Sequence, residues 1–347
     1  MRCKKCLMTS GIERVSFEKG LCNFCRQEFP LISSQHKEKC LKDFYQTIER
    51  LKEYQGEYNC MVAFSGGKDS AYLLYILKYE YGLRPLAVTV DTGFLNPNAH
   101  DNIARVTKKL HIDHTFIKPN QELFNSLYRY FLNNLAKLSH GRNVVYDMCA
   151  LCTHIMDICM LKLAVEKRIP VLFIGLSPDE IRMVLRIYGP DIAEHFYESA
   201  PYNIIEEKNA PLKCAEILNA DLLKEIHLPV ASEGMPRVIF PFHVLPYDPE
   251  KFRQFLDEKG IIPKEKSSPY ASNCQMNWIM IYAFMKKFKY NPYIEMFSDI
   301  VRQKPELRAS YIWIDNYIKL AIKFGLFKNK EINNILKELK LDKKDIL

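Results

Sequence analysis

Residues 65–70 of this 347-residue chain read Ser-Gly-Gly-Lys-Asp-Ser and follow the short apolar run Cys60–Phe64. Two adjacent glycines after a strand let backbone N–H groups turn toward one point. The helix that opens next adds its unpaired N-terminal N–H groups and the positive end of its dipole. An anionic phosphate fits such a cradle. Lys68 adds a mobile positive charge, and Ser65 and Ser70 add hydroxyls. Leu73, Leu74 and Leu77 recur at helical spacing, which supports the helix. The loop is not the G-x-x-x-x-G-K-[ST] type, because its glycines are adjacent.

Cysteines supply the second chemistry. Cys3-x2-Cys6 and Cys22-x2-Cys25 are separated by fifteen residues, and two such knuckles close a tetrahedral site of four thiolates. Four ligands leave no open position, so the expected zinc is structural, and it supplies folding energy that so small a segment lacks. Cys149-Ala150-Leu151-Cys152 lies just before a helical stretch, and Cys274 stands alone further on. On residue type alone, the Cys149/Cys152 pair reads in several ways. It suits a nucleophilic and resolving thiol pair working through a persulfide, a second zinc with His154, or buried small hydrophobes. Cys40, Cys60, Cys159 and Cys214 read as core.

The elements that must position these groups follow from apolar periodicity. Strands are expected at 60–64, 86–90, 114–117 and 171–174, alternating with helices at 69–81, 99–110 and 121–138. A return strand is expected at 237–241. Alternation of this kind predicts an α/β fold with a doubly wound parallel sheet, and binding then falls at the carboxyl ends of the strands. The glycine loop and Asp91 sit at such ends. Asp91 reads equally as a site residue and as a turn-capping carboxylate.

Around this core, residues 1–30 form a zinc knuckle and 37–57 a charged helix. Residues 31–274 form the α/β domain and 275–347 a helical C-terminal region. Residues 179–236, with prolines at 190, 201, 211, 229 and 236, read as an irregular insertion or lid. Arg182 and Arg186, one helical turn apart, face either phosphate, nucleic acid or plain solvent. Trp278, Ile281, Phe284 and Phe288 form an apolar stripe read as core.

The composition is 48% apolar and 26% charged, ordinary for a globular protein. No apolar run approaches the length of a membrane span, and the first residues carry no apolar signal core. Both point to the cytoplasm and to no membrane partner. A net charge of +8 permits nucleic acid without requiring it. Part of it sits on Lys328, Lys330, Lys337, Lys340, Lys343 and Lys344, read as a solvated helix face. Eleven cysteines in a reducing compartment argue for metal or reactive thiols.

The Ser65–Ser70 motif resembles the SGGxDS signature of the PP-loop ATP pyrophosphatases, whose fold is adenine-nucleotide hydrolase-like. Val90-Asp91-Thr92-Gly93-Phe94 resembles their second-strand segment. Val171–Gly175 with Asp179-Glu180 resembles their strand–Gly–acid segment, and Phe240-Pro241-Phe242 through Ser268-Pro269-Tyr270 resembles their return strand and helix. The resemblance implies ATP at Ser65, Gly66, Gly67, Lys68, Asp69, Ser70, Val90, Asp91 and Gly175. It implies Mg held with the help of Asp69 and Asp179, and Lys68 offsetting phosphate charge.

The implied chemistry is cleavage of ATP between the α- and β-phosphates. A substrate carbonyl or amide oxygen is adenylated, and sulfur or nitrogen displaces AMP. A CxxC plus a distant cysteine is similar to the layout of the family's thiolation enzymes. That likeness implies a 4Fe–4S cluster on Cys149, Cys152 and Cys274, although here the third cysteine follows the Pro-Tyr instead of preceding it. Cys3 and Cys6 with Val15-Ser16-Phe17 and Gly20–Cys25 resemble the knuckle of N-acetyl sugar amidotransferases, and a similar module precedes the PP-loop in tRNA 2-thiolation enzymes.

Two activities follow. The preferred one is ATP-dependent sulfur insertion into a tRNA base or small molecule, with sulfide or a donor protein as the sulfur source. The alternative is an amidotransferase fed with ammonia by a glutaminase partner. A non-catalytic nucleic-acid-binding zinc protein is the third reading, and the intact loop argues against it. Either enzyme allows a homodimer.

Overall fold

A computed structural model describes residues 1–27, 33–138, 144–182, 198–199, 210–227, 234–267 and 273–346. Its centre is a sheet of β3 (Cys60–Ala63), β4 (Pro85–Val90), β5 (His114–Ile117), β6 (Val171–Ile174), β7 (Glu198–Ser199) and β8 (Arg237–Ile239), in the order β5-β4-β3-β6-β8-β7. The first five strands of that order run parallel, and β7 adds an antiparallel edge on β8. The expected α/β parallel sheet is present, with all five strands at the expected places.

The inner strands β3, β4 and β6 read as continuous apolar runs because both sheet faces are covered there, whereas β5 at the edge is only partly buried. Pro85–Val90 is buried throughout. Met61, Leu86, Val88 and Leu172 point to one side, against α5 (Gln121–Asn133), α7 (Val144–Glu166) and α11 (Met276–Lys287). Cys60, Val62, Ala87 and Phe173 point to the other, against α2 (Ser34–Glu53), α3 (Lys68–Tyr75), α4 (Pro97–Leu110) and α10 (Pro249–Glu258). The chain runs β3 to β5 outward on one side and then returns to β6 beside β3. The order therefore reverses between β3 and β6, which opens a crevice at their carboxyl ends.

Several expectations are corrected. The strand expected to 241 stops at Ile239, and Pro241 opens a 3-10 turn to His243, since proline cannot donate to the ladder. The helix expected over 69–81 is α3 followed by a π-helical turn, Ile76–Glu80. The one over 121–138 is α5 plus the short α6 (Leu135–Leu138). Residues 179–236 are not wholly irregular: helix resumes over 178–182, and α8 (Ala210–Ile217) and α9 (Ala220–Glu225) follow. Pro190, Pro201, Pro229, Arg186 and Ser268–Tyr270 lie outside the described residues. Cys149 and Cys152 sit inside α7 instead of before it.

Helix α7 also corrects the reading of membrane-span length. Val145–Glu166 is long and apolar enough to cross a bilayer, with mean hydropathy 1.7 over its best window. It packs on β4, β6, α5 and α8, with 39% of that window buried. On α11, Phe284 is buried, but Trp278, Ile281 and Phe288 are only partly so; Met276, Ile279, Met280 and Ala283 fill the core instead. Lys328 lies over the Trp278 ring at 4.6 Å. Cys40, Cys60 and Cys214 are buried as expected, and Cys159 is half-buried.

Candidate active site and metal centre

The glycine loop joins β3 to α3 at the switch point. Gly66 takes φ +75°, a conformation that L side chains avoid, and a Cβ there would stand 2.6 Å from the Ala99 carbonyl oxygen. Gly67 caps α3 without any side-chain hydrogen bond. The first N–H groups of the helix are therefore left for an anion. Gly175, at the end of β6, lies against this turn: a Cβ there would be 3.3 Å from Ser70 N. Ser65 Oγ lies 3.4 Å from Ser70 Oγ, and Asn273 Nδ2 donates to Ser65 Oγ at 3.2 Å.

Lys68 and Asp69 form an ion pair at 2.7 Å, and the Tyr247 hydroxyl donates to the other Asp69 oxygen at 3.0 Å. Burial, then the Asp69 charge, raises Tyr247 and keeps it a donor. Asp179 does not join them. It pairs with Arg182 and accepts from Gln303 Nε2 at 3.3 Å. Of the two neighbouring acids Asp179 and Glu180, it is Glu180 that lines the crevice. Ser177-Pro178-Asp179-Glu180 is a capping box: Glu180 accepts from Ser177 N at 2.8 Å and Ser177 Oγ at 2.7 Å. Burial raises its pKa, and the Asp69 charge adds to that. The S-x-x-E spacing was the sequence signal that turns Glu180, not Asp179, back toward the loop. Asp91 is a turn cap: it accepts from Gly93 N at 2.9 Å, while Val90 beside it lines the crevice.

The crevice is a cavity of about 400 Å³. Ser65, Gly67, Asp69 and Ser70 form one end. Cys152 and Cys274 line the same space, with Phe94, Tyr128, Met156 and Met160 among its apolar walls. Cys274 is carried in by a bridge to Leu95, with Asn96 N bonded to Asn273 O and Gln275 N to Phe94 O, each at 2.8 Å. Cys149 is one turn before Cys152 on α7. Burial, then the Cys274 charge, pushes Cys149 up to about 12 and raises Cys152 as well. Burial raises Cys274 too. Tyr128 OH lies 3.1 Å from Cys152 Sγ.

The N-terminal cysteines form a separate centre. Cys3 and Cys25 sulfurs are 3.8 Å apart, Cys6 and Cys22 sulfurs 3.7 Å, and all four lie within 4.8 Å of one another. A tetrahedron with zinc–sulfur bonds of about 2.3 Å has sulfur–sulfur edges of about 3.8 Å, so the set fits that ion. The hairpin of β1 (Phe17–Glu18) and β2 (Leu21–Cys22), with the short helix α1 (Asn23–Arg26), carries the second pair.

The knuckle is not a free module. It packs on α12 (Ile294–Gln303) and α13 (Arg308–Lys323) through Leu7, Met8, Ile294, Val301 and Tyr311. Arg302 donates to Cys25 Sγ at 3.2 Å and Cys6 Sγ at 3.5 Å, and it pairs with Asp299 at 2.5 Å. Hydrogen bonds from Cys22 and Cys6, then Arg302, hold Cys25 below the usual thiol range. A cationic group beside four thiolates offsets their charge. Nothing in the sequence paired Arg302 with cysteines nearly three hundred residues away.

No protein-family model matches the chain. It is 35% identical over 117 residues to an uncharacterized protein, MJ1599, of Methanocaldococcus jannaschii, a match spanning 33% of this chain and 41% of that protein's length. Among solved structures it is similar to the U34-tRNA thiolase NcsA from Methanococcus maripaludis with its [4Fe-4S] cluster, at 15% identity and TM-score 0.38 over 98% of this chain and 88% of that one. It is also similar to the NH3-dependent NAD synthetase of Campylobacter jejuni, at 17% identity and TM-score 0.30 over 58% of this chain and 100% of that one.

Proposed function

We propose that this chain uses ATP to adenylate the carbonyl oxygen of an amide-like substrate, releases pyrophosphate, and inserts sulfur as AMP leaves. One observation carries the reading: a single cavity holds the glycine loop and Asp69 together with Cys152 and Cys274. Phosphate activation and thiol chemistry thus share one space.

The chain's own groups suit each part. The first-turn N–H groups of α3, Ser65 and Ser70 hold phosphate oxygens, and Lys68 leaves Asp69 to join them. Asp69 and Glu180 are then the oxygen ligands that face Mg, which offsets phosphate charge. Holding the reacting groups in one water-poor site contributes through positioning and fixed charge. Burial disfavours the thiolate of Cys149, Cys152 and Cys274 alike when no metal is bound, so a free thiol there is a weak nucleophile. When bound there, a 4Fe–4S cluster with one iron free of protein ligands supplies a site for sulfide.

The acceptor is a tRNA base or a small amide, and the sulfur source is sulfide or a donor protein. Protein purified without oxygen is expected to carry about four irons with acid-labile sulfide, besides about one zinc. With ATP, Mg, sulfide and unmodified tRNA or small cyclic amides, it is expected to form AMP and pyrophosphate in equal amounts. Colourless protein with zinc alone that makes AMP only with ammonia would replace sulfur by nitrogen and point to a glutaminase partner. No AMP with either nucleophile refutes adenylation.

A further inference from the structure

Asp157 lines the cavity on α7, beyond Cys152 and between Met156 and Met160. It is set among apolar walls that include Val90 and Ile174. Among the described residues its carboxylate has no hydrogen-bond donor and no cation. The ionisable groups around it are Cys152, His154 and Cys159 on its own helix, Tyr128 on α5, Cys274, and Asp69 and Glu180 at the loop end. Lys68 is paired with Asp69, and Lys162 donates to the Glu225 carbonyl at 2.6 Å. Burial pushes Asp157 up to about 7. Asp157 is half-buried and lines the cavity with no partner for its carboxylate among the described residues, the setting of a group whose partner arrives with the ligand.

We infer that Asp157 is the general base of the activation step: it accepts the N–H beside the substrate carbonyl and takes that proton as the carbonyl oxygen attacks the α-phosphorus of ATP. The substrate class is then an amide or lactam with N–H next to C=O, on a body apolar enough for the methionine-lined walls. The inference rests on the adenylation reading above. In the step, the carbonyl O–P bond forms and the P–O bond to pyrophosphate breaks, its electron pair leaving with pyrophosphate. The N–H electron pair becomes the C=N bond of the adenylated imidate, and the proton ends on Asp157. Amide, ATP and carboxylate give imidate, pyrophosphate and carboxylic acid, with no oxidant or reductant.

The test uses the full chain and two probes, 2-pyridone, which carries N–H beside its carbonyl, and N-methyl-2-pyridone, which does not. By saturation-transfer NMR at pH 8, wild type is expected to bind the first and not the second. Asp157→Asn is expected to bind 2-pyridone at least about tenfold more weakly, as expected when a buried charge-assisted hydrogen bond is lost. Asp157→Leu serves as the second variant, should the asparagine fold poorly. Equal binding by wild type and variant, or none by wild type, overturns the inference. In the AMP-forming assay, Asp157→Asn is expected to lose about 100-fold or more in kcat with KM for ATP unchanged, and a kcat near wild type also overturns it. If wild type forms no AMP with any acceptor, the adenylation reading falls on its own, and the probe pair still decides whether Asp157 binds the amide.

Discussion

Two neighbouring acids separate what is positioned from what is merely near. Asp179 is spent on Arg182 and Gln303, whereas Glu180 both closes a capping box and lines the cavity. Glu180→Gln keeps a capping side chain, so its stability is expected to stay within about 1 kcal/mol of wild type while acceptor-dependent pyrophosphate release falls at least tenfold. Asp179→Asn is expected to cost under about 1 kcal/mol, as for a partly exposed ion pair, and to leave that release unchanged. Parallel urea melts and pyrophosphate assays decide the pair, and the reverse pattern would return the role to Asp179. The backbone of the loop makes a second residue-scale prediction. Gly66→Ala puts a Cβ at φ +75° and against the Ala99 carbonyl, so it is expected to lose about 1–3 kcal/mol. Gly11→Ala, where a Cβ meets nothing within 4 Å, is expected to stay within about 0.5 kcal/mol, and equal losses in the two melts would refute the strain at the loop. The glycine–lysine–aspartate loop was legible in sequence because its chemistry is local. The tie of Asp69 to Tyr247 and of Ser65 to Asn273 was not, since each joins residues from distant parts of the chain.

At the scale of elements, the inner parallel strands were legible because burial on both faces forces unbroken apolar runs, as in Pro85–Val90, and the half-buried edge strand His114–Ile117 followed from its place in the strand–helix alternation. The two-residue β7 leaves no such trace. Helix α7 shows the opposite failure: its apolarity matches a bilayer span, and only its packing shows that it lies against the sheet. The knuckle was legible as a metal site, but its docking was not. Its buried Leu7, Met8, Ile12 and Val15 share one small core with Ile294, Val301 and Tyr311 of α12 and α13. A structural zinc held by the four cysteines would supply on the order of 10 kcal/mol to so small a unit, so stripping a bound ion is expected to unfold residues 1–27 completely. Hydrogen exchange with and without a strong chelator measures this: amides of 1–27 are expected to lose protection while those of Cys60–Ala63 keep it. Unchanged exchange in the knuckle after the zinc is gone would show that its contacts with α12 and α13 suffice.

For the whole molecule, groups whose pKa is shifted by burial set how stability follows pH, and they do not share a sign. His114 on β5 and His243 after β8 are each held down to about 4 by burial, against 6.5 for a free imidazole; for His243, the neighbouring His36 adds to the effect. Between those values the unfolded chain binds their protons and the folded chain does not, so their stability is present above pH 6.5 and is lost as pH falls toward 4. His154 is lowered by burial too and adds in the same direction. Asp157 is raised from 3.8 to about 7. Between those values the folded chain binds its proton and the unfolded chain does not, so it favours folding at low pH and penalises it increasingly as pH rises to 7. The histidines outnumber it below 6.5, so wild-type stability is expected to rise from pH 4 to about 6.5 and then level or fall slightly. Asp157→Asn removes the opposing proton. Its unfolding free energy is therefore expected to climb more steeply than wild type across pH 4 to 7, by about 1.4 kcal/mol per pH unit for one full proton. Denaturant melts of both proteins over that range measure the difference in slope. Parallel curves would mean that Asp157 finds a partner in the folded chain, and the same charge would then be unavailable to take a substrate proton.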